Sequence, residues 1–329
     1  DFKPERTKSY EVGINARFLN GRISFDGTFY QSNTYNQTFL SVMSPATGYS
    51  GFYVQAGNVR NRGVEMTLGY NDTFGKVNYS THLTYTANQN KIVEMVHDYR
   101  NPIDNSLVNI TELTLKEVGD VYLREGYSMS DVFTTGILQR GRDGKLVEEG
   151  NGYQVDRSQR IRLGSADPDF TMGWRHDINY KNISLGLMIT GRFGGIVTSQ
   201  TQAFMDAFGV SKVSAEARDN GGVMLDGHRY DAERYYNTVG GQGLMSYYTY
   251  DATNVRLQEL SLTYSLPKKW LGDVFNNATI SFVGRNLFMF YRKAPFDPDM
   301  NGSTGTYNRS DFFMAPSLRN LGFSIKFSL

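Results

Sequence analysis

What constrains this chain most is an alternation of short and long connections between segments that repeat apolar and polar residues with a period of two. The first segment sets Val12, Ile14, Ala16 and Phe18 against Gly13, Asn15 and Arg17, and returns after Asn20-Gly21 through Ile23, Phe25 and Phe29. A period of two is a strand with one apolar face, and Asn-Gly is a strong hairpin signal because both central residues of a type I′ turn need positive φ. The design recurs. Val64, Met66, Leu68 and Tyr70 turn at Asp72 to Gly75 into Val77, Tyr79, Thr81, Leu83 and Tyr85; Phe170, Met172, Trp174, Ile178 and Tyr180 turn at Lys181-Asn182 into Ile183, Leu185, Leu187 and Ile189. Leu260, Leu262, Tyr264 and Leu266 lead through Pro267 to Asn277 into a return strand with Ile280 and Phe282, and a one-residue slip of parity between Leu257 and Leu260 predicts a bulge. The chain closes on Leu321, Phe323, Ile325, Phe327 and Leu329.

In order, the predicted connections take 2 residues (20–21), 25 (34–58), 4 (72–75), 79 (90–168), 2 (181–182), 56 (195–250), 11 (267–277) and 26 (292–317). Successive connections in an antiparallel barrel lie at opposite ends, so one rim collects the turns and the other the long loops, as in outer-membrane barrels. A soluble sandwich also alternates, but its strands average about 5 to 6 residues, whereas these run about 10 to 13, near the length a tilted strand needs to cross a bilayer. The expected fold is all-β, a transmembrane antiparallel β-barrel with long extracellular loops.

Aromatic residues make up 14% of the chain although its mean hydropathy is only −0.44. Tyr70, Tyr79, Tyr85, Tyr180, Phe290 and Tyr291 fall near strand ends, where interfacial girdles are built. No run approaches the roughly 18 to 20 apolar residues of a spanning helix. The net charge of +1 gives no reason to expect nucleic acid, and the absence of cysteine removes disulfides and thiolate sites. His82, His97, His176 and His228 lack metal-ligand spacing. No nucleophile elbow, phosphate loop or dinucleotide fingerprint is present, so no residue is a candidate for catalysis and the chain reads as a non-enzyme. Asp297-Pro298-Asp299-Met300-Asn301-Gly302 fits the first half of a calcium loop, but its twelfth position is Asn308 rather than an acid; the stretch reads as loop and no cofactor is expected.

Four hairpins and a final strand make nine, with the first and last running the same way. An antiparallel sheet closes only on an even number. The chain therefore reads as an arc of a larger barrel, completed by residues upstream of Asp1.

Several segments resemble the SusC-like (SusC/RagA) family of TonB-dependent outer-membrane transporters. Lys3-Pro4-Glu5-Arg6-Thr7-Lys8-Ser9-Tyr10-Glu11-Val12-Gly13 is similar to the opening of a late barrel strand of that family, and Gly57-Asn58-Val59-Arg60-Asn61-Arg62-Gly63-Val64-Glu65 to a strand start. Asn286-Leu287-Phe288 with Asp297-Pro298 resembles the pair before its last loop, and Leu318 to Leu329 its closing strand. The resemblance implies that residues 1–329 are the C-terminal part of a barrel of about 22 strands in the outer membrane of a Gram-negative bacterium. The plug domain and TonB-box would lie upstream of Asp1. It further implies energised import of an oligomeric nutrient, glycan or peptide, with TonB and a SusD-like surface lipoprotein as partners. A passive porin or an adhesion barrel is the alternative.

Long loops carry function disproportionately, and aromatic faces stack on sugars and peptide side chains. Tyr235, Tyr236, Tyr247, Tyr248 and Tyr250 in the sixth connection, with Phe312 and Phe313 in the last, are accordingly the candidates for contact with ligand or lid; the alternative is that they pack the loops together.

Overall fold

A computed structural model describes residues 3–100, 105–115, 121–272, 274–299 and 310–328. Among them nine wall strands pair in chain order into one antiparallel sheet: β1 (Arg6–Phe18), β2 (Ile23–Val42), β3 (Gly51–Phe74), β4 (Val77–Glu94), β5 (Phe170–Tyr180), β6 (Ile183–Phe193), β7 (Asn254–Ser265), β8 (Asn277–Arg292) and β9 (Asn320–Ser328). Two short strands, Glu112–Leu115 and Val121–Arg124, continue the same sheet from the far end of β2. β1 and β9 run in the same direction, as the strand count anticipates.

The turns differ in detail from the sequence reading. Phe18 pairs with Ile23, so the first turn occupies Leu19 to Arg22, and its positive φ values begin one residue before Asn20-Gly21, at Leu19 (52°) and Asn20 (56°). The Gly21 amide donates to the Phe18 carbonyl at 3.0 Å to close it. The four-residue turn expected at Asp72 to Gly75 is mostly strand: Phe74 pairs with Val77, leaving Gly75 (φ 63°) and Lys76. Lys181-Asn182 turns as expected, with Tyr180 opposite Ile183.

The connection expected over 34–58 is a larger correction. β2 continues to Val42 and β3 begins at Gly51, so only 43–50 link them, and β2, β3 and β4 reach 20, 24 and 18 residues. Pairing persists there while the period-two pattern fades. Asn36, with φ 58°, marks the change, and beyond it Phe39 and Val54 are both buried against the next loop. Side-chain alternation reports a difference between two environments; backbone pairing needs none, so the ladder outlasts the pattern.

The predicted bulge is present. Met188 pairs with Glu259 and Ile189 with Leu257, so Gln258 has no partner in the β6–β7 register. β8 answers with a shift of its own, where Asn286 takes φ 53°.

The register builds two unlike faces. One row runs Ala16, Phe25, Leu68, Leu83, Trp174, Ile189 and Leu257 across seven consecutive strands. The adjacent row on the opposite face runs Arg17, Ser24, Gly69, His82, Arg175, Met188, Glu259 and Arg285. That face carries ion pairs, Arg285 to Glu259 at 3.0 Å and Arg175 to Asp177 at 2.9 Å. It is also the face the loops cover: Val59 and Ile92 lie buried with Leu113, Leu115, Val121 and Leu123 of the fourth connection. The other face leaves Val12, Leu68 and Phe323 at 69%, 48% and 67% exposure.

A bare, largely apolar face is built for hydrocarbon. Leu83→Arg in the full-length protein is therefore expected to cost about 2 to 4 kcal/mol near the midplane of the membrane and to lower its outer-membrane level. Thr84→Arg, on the opposite face, should leave that level nearly unchanged. Equal levels of the two variants on quantitative blots would contradict the face assignment.

Candidate ligand cleft at the long-loop rim

The two longest connections fold together. The sixth forms three helices, α1 (Gln200–Ala207), α2 (Lys212–Asp219) and α3 (Ala232–Val239), each opened by a side-chain cap: Ser199, Ser211 and Asp231 accept from the amides of Gln202, Ser214 and Arg234. Such caps satisfy amides that the first turn leaves without a partner. The fourth connection supplies a ribbon of strands Asp131–Leu138 and Val155–Ser165. A single core joins both connections, with Leu138, Leu146 and Tyr153 from one and Ala203, Tyr230, Tyr235, Tyr236, Val239, Leu244 and Tyr248 from the other.

Hydrogen bonds cross the same boundary. The amides of Leu146 and Leu138 donate to the hydroxyls of Tyr230 (3.1 Å) and Tyr247 (3.2 Å), and the Tyr153 amide donates to Thr238 Oγ1 at 3.0 Å.

This places the aromatic residues singled out in the sequence. Tyr235, Tyr236 and Tyr248 are buried within the shared core, and burial pushes all three phenols up from their ordinary value. Tyr247 is half-buried in its bond to Leu138, and Tyr250 is half-buried edge-on to Phe296 at 5.6 Å. Phe312 and Phe313 remain exposed, clustered with Phe204 of α1 at 6.1 and 5.9 Å. The last connection docks here: Ser310–Asp311 pairs in parallel with Thr198–Ser199, Ser199 Oγ donates to Asp311 at 2.8 Å, and the Phe313 amide donates to Thr201 at 2.6 Å.

Between these elements lies a cleft of about 650 Å³ that no sequence signal located. The fourth connection contributes Tyr122, Phe133, Arg157 and Arg160, and the sixth contributes Phe204 and the run Gly240 to Gly243. Arg160 stacks over the Tyr122 ring at 4.1 Å, Phe133 meets that ring edge-on at 5.0 Å, and Tyr122 donates its hydroxyl proton to Glu112. Arg157 bridges the two connections, donating to the carbonyls of Thr135 (3.3 Å) and Gln242 (3.1 Å). Among the described residues neither Arg157 nor Arg160 is in an ion pair, whereas neighbouring Arg162 is neutralised by buried Asp131 at 2.8 Å. The cleft thus offers two guanidinium groups with spare donors, aromatic faces and glycine backbone, a set suited to carboxylates, carbonyls and apolar side chains.

One buried cluster ties the last connection to the wall. Arg256, on the inner side of β7, pairs with Asp297 (2.8 Å) and Asp299 (2.6 Å) and donates to Asn286 at 3.3 Å. Asn286 donates to Ser317 at 2.9 Å, and Ser317 donates to Asp297. Asn286 and Asp297, the two ends of the motif that resembled the transporter family, therefore meet at one guanidinium. Burial pushes the Asp297 carboxyl up, but the hydrogen bonds from Ser317, Arg256 and the Asp299 amide outweigh it and hold it below the ordinary value; at Asp299 burial prevails and the carboxyl is raised. Of the residues considered for calcium, Asp297 and Asp299 are committed to Arg256, while Asn301, Gly302 and Asn308 lie outside the described residues.

The family profile described as "TonB dependent receptor-like, beta-barrel" matches residues 1–190. The chain belongs to that family. TonB-dependent receptor P3 of Formosa agariphila is 26% identical over 99% of this chain and 34% of its own length. TonB-dependent receptor P26 of the same organism is 25% identical over 90% of this chain and 31% of its own. The chain spans about a third of the length of these curated relatives. Among solved structures, the RagAB peptide importer in the "open-open" state superposes with a TM-score of 0.69 at 18% identity, over the whole of this chain and 35% of that one. The resemblance to SusC/RagA proteins is borne out in the fold. The family is one of transporters and receptors rather than enzymes, and it places the chain in the outer membrane.

Two outcomes follow from this geometry. Leu244, fully buried between the connections, should on replacement by Ala cost about 2 to 5 kcal/mol; limited proteolysis of the full-length protein would then cut within 139–154 and 200–250 together. Cutting in one connection only would show that the core is not shared. Because Asp297 is held below its ordinary value of 3.8, its contribution to the anchor is complete above that value and is lost as pH falls through the depressed one. Carboxyl NMR of the full-length protein should show Asp297 titrating low, and Arg256→Met should move the titration up; an unmoved titration would refute the pairing.

Proposed function

We propose that this chain forms the C-terminal wall and much of the extracellular rim of a TonB-dependent importer of an oligomeric nutrient, and that the cargo is a peptide. In this reading the wall crosses the outer membrane many times as an arc of a barrel of about 22 strands. Upstream segments supply the rest of the barrel, the plug and the TonB-box, and a SusD-like surface lipoprotein closes over the rim. No cofactor or metal enters the reading.

The observation that carries it is the cleft itself, walled by two connections that share a buried core. A loop system built only to link neighbouring strands needs neither helices nor a core. Peptide is favoured over glycan by Arg157 and Arg160, whose spare donors fit terminal and side-chain carboxylates, and by Phe133 and Phe204, which fit apolar side chains. The RagAB structure, with the same fold, is that of a peptide importer. The buried tyrosines Tyr235, Tyr236 and Tyr248 serve the scaffold in this scheme, and the exposed Phe312 and Phe313 face the lid or the cargo.

The experiment is uptake of a fluorescent acidic oligopeptide by cells carrying the full-length transporter as their sole route. Each charge-assisted hydrogen bond to a carboxylate is worth roughly 1.5 to 3 kcal/mol. Arg157→Ala with Arg160→Ala should therefore raise the half-saturating concentration at least about tenfold at normal protein levels. Loss of TonB should abolish uptake. Uptake that survives loss of TonB would mark a passive pore, and uptake indifferent to both arginines would move the cargo site elsewhere.

A further inference from the structure

The apolar outer face does not continue to the long-loop rim. On β1 to β4 the row Val12, Phe29, Val64, Ala87 is the last apolar one. Above it on the same face stand Tyr10, Gln31, Arg62 and Gln89, then Lys8, Asn33, Arg60 and Lys91, then Arg6, Tyr35, Asn58 and Glu94. Contacts confirm that these side chains share the face: Arg62 donates to Gln89 at 2.8 Å, Asn33 to Asn58 at 2.8 Å, and Lys8 lies over the Tyr35 ring at 5.7 Å. Three rows on four strands thus carry five cations, Arg6, Lys8, Arg60, Arg62 and Lys91, against the single carboxylate of Glu94. None of the five is in an ion pair among the described residues. The inner face at this level carries no cation: Asn61 is bonded to Asn90 and Tyr30 to Asn88, and the one charged group in these rows is the carboxylate of Glu11.

The positive charge is therefore confined to the outside of the wall, directly above the hydrocarbon band, on the rim of the long loops. With strands about 4.8 Å apart and same-face residues about 6.8 Å apart along each strand, the patch is roughly 14 Å on a side. A set of unpaired cations kept on the lipid side is costly to assemble unless an anion answers it. The depth matches a headgroup, and Tyr10 and Tyr35 are the residue type that settles at that level. Arg60 and Arg62 add the forked donors that suit phosphate oxygens.

We propose that this patch is a binding site for a phosphate-bearing lipid headgroup of the outer leaflet, which seats the barrel at a fixed depth. The proposal rests on the placement of the wall in the outer membrane and is independent of the cargo.

The test uses the full-length transporter purified in mild detergent, with bis-phosphorylated lipid A as probe and its phosphate-free form as control, and native mass spectrometry to measure retained lipid. Each cation near an anionic lipid surface is worth roughly a fivefold change in affinity, so Arg60→Gln, Arg62→Gln and Lys91→Gln combined should weaken retention of the phosphorylated probe about a hundredfold. The control lipid should be unaffected, and Arg60→Lys with Arg62→Lys should keep most of the binding. A heat-modifiable band on semi-native gels confirms that each variant is folded. Unchanged retention of the phosphorylated probe would overturn the proposal, as would equal loss of both lipids. A change in the number of transporter copies per particle without a change in lipid would also overturn it, and would mark the patch as a contact between copies.

Discussion

In hydrocarbon no water is available to a peptide group, so every N–H and C=O of a spanning strand must pair with a neighbouring strand. That requirement fixes the register, and the register decides which residue faces which side. It explains why Ala16, Phe25, Leu68, Leu83, Trp174, Ile189 and Leu257 line up across seven strands although they lie far apart in sequence. It also explains the glycines of the segment 57–65. A Cβ on Gly57 would sit 2.1 Å from the Glu94 carbonyl oxygen, and one on Gly63 2.5 Å from that of Ala87, so side chains there would force the ladder apart. The bulge at Gln258 breaks the register beside Arg256, where the last connection is anchored.

Beyond the paired wall the chain returns to the rules of soluble proteins. The fourth and sixth connections cover apolar surface with one another, around Leu244 and the buried tyrosines, and the cleft is the space left between them. The last connection is held at Arg256 through Asp297, at α1 through Asp311 and Phe313, and at Asp251 and Tyr250 through Lys293 and Phe296. A rigid wall and three mutually braced connections give a rim that can present a shaped site while the barrel below stays unchanged.

Much of the wall was legible because a two-sided environment writes itself into alternate residues. All four hairpins, the bulge and the final strand could be read that way. The upper halves of β2 and β3 could not, since residues such as Thr34, Gln37 and Thr38 show no contrast once both faces meet water or loop. The helices were hidden among tyrosines, although Asp231 followed by Ala-Glu-Arg and Ser211 followed by Lys-Val-Ser are cap signals that could have been used. The cleft was not legible at all. Arg157 and Arg160 resemble any other loop cations until pairing with Asp131–Leu138 brings them beside Tyr122 and Gln242. Aromatic content proved a guide to the loop core first, because large rings in a long loop with its own helices are the cheapest surface to bury.

The central claim is that alternate residues of this wall face lipid on one side and the interior of a barrel on the other. Nitroxide labels placed singly at Leu68, Leu83, Trp174 and Ile189, and at Ser24, His82, Arg175 and Met188, in the full-length protein in bilayers test it directly. The first set is predicted to be relaxed by oxygen and shielded from a water-soluble nickel chelate, and the second set to show the reverse or to be shielded from both. Chelate access to the first set equal to that of the second would contradict the claim.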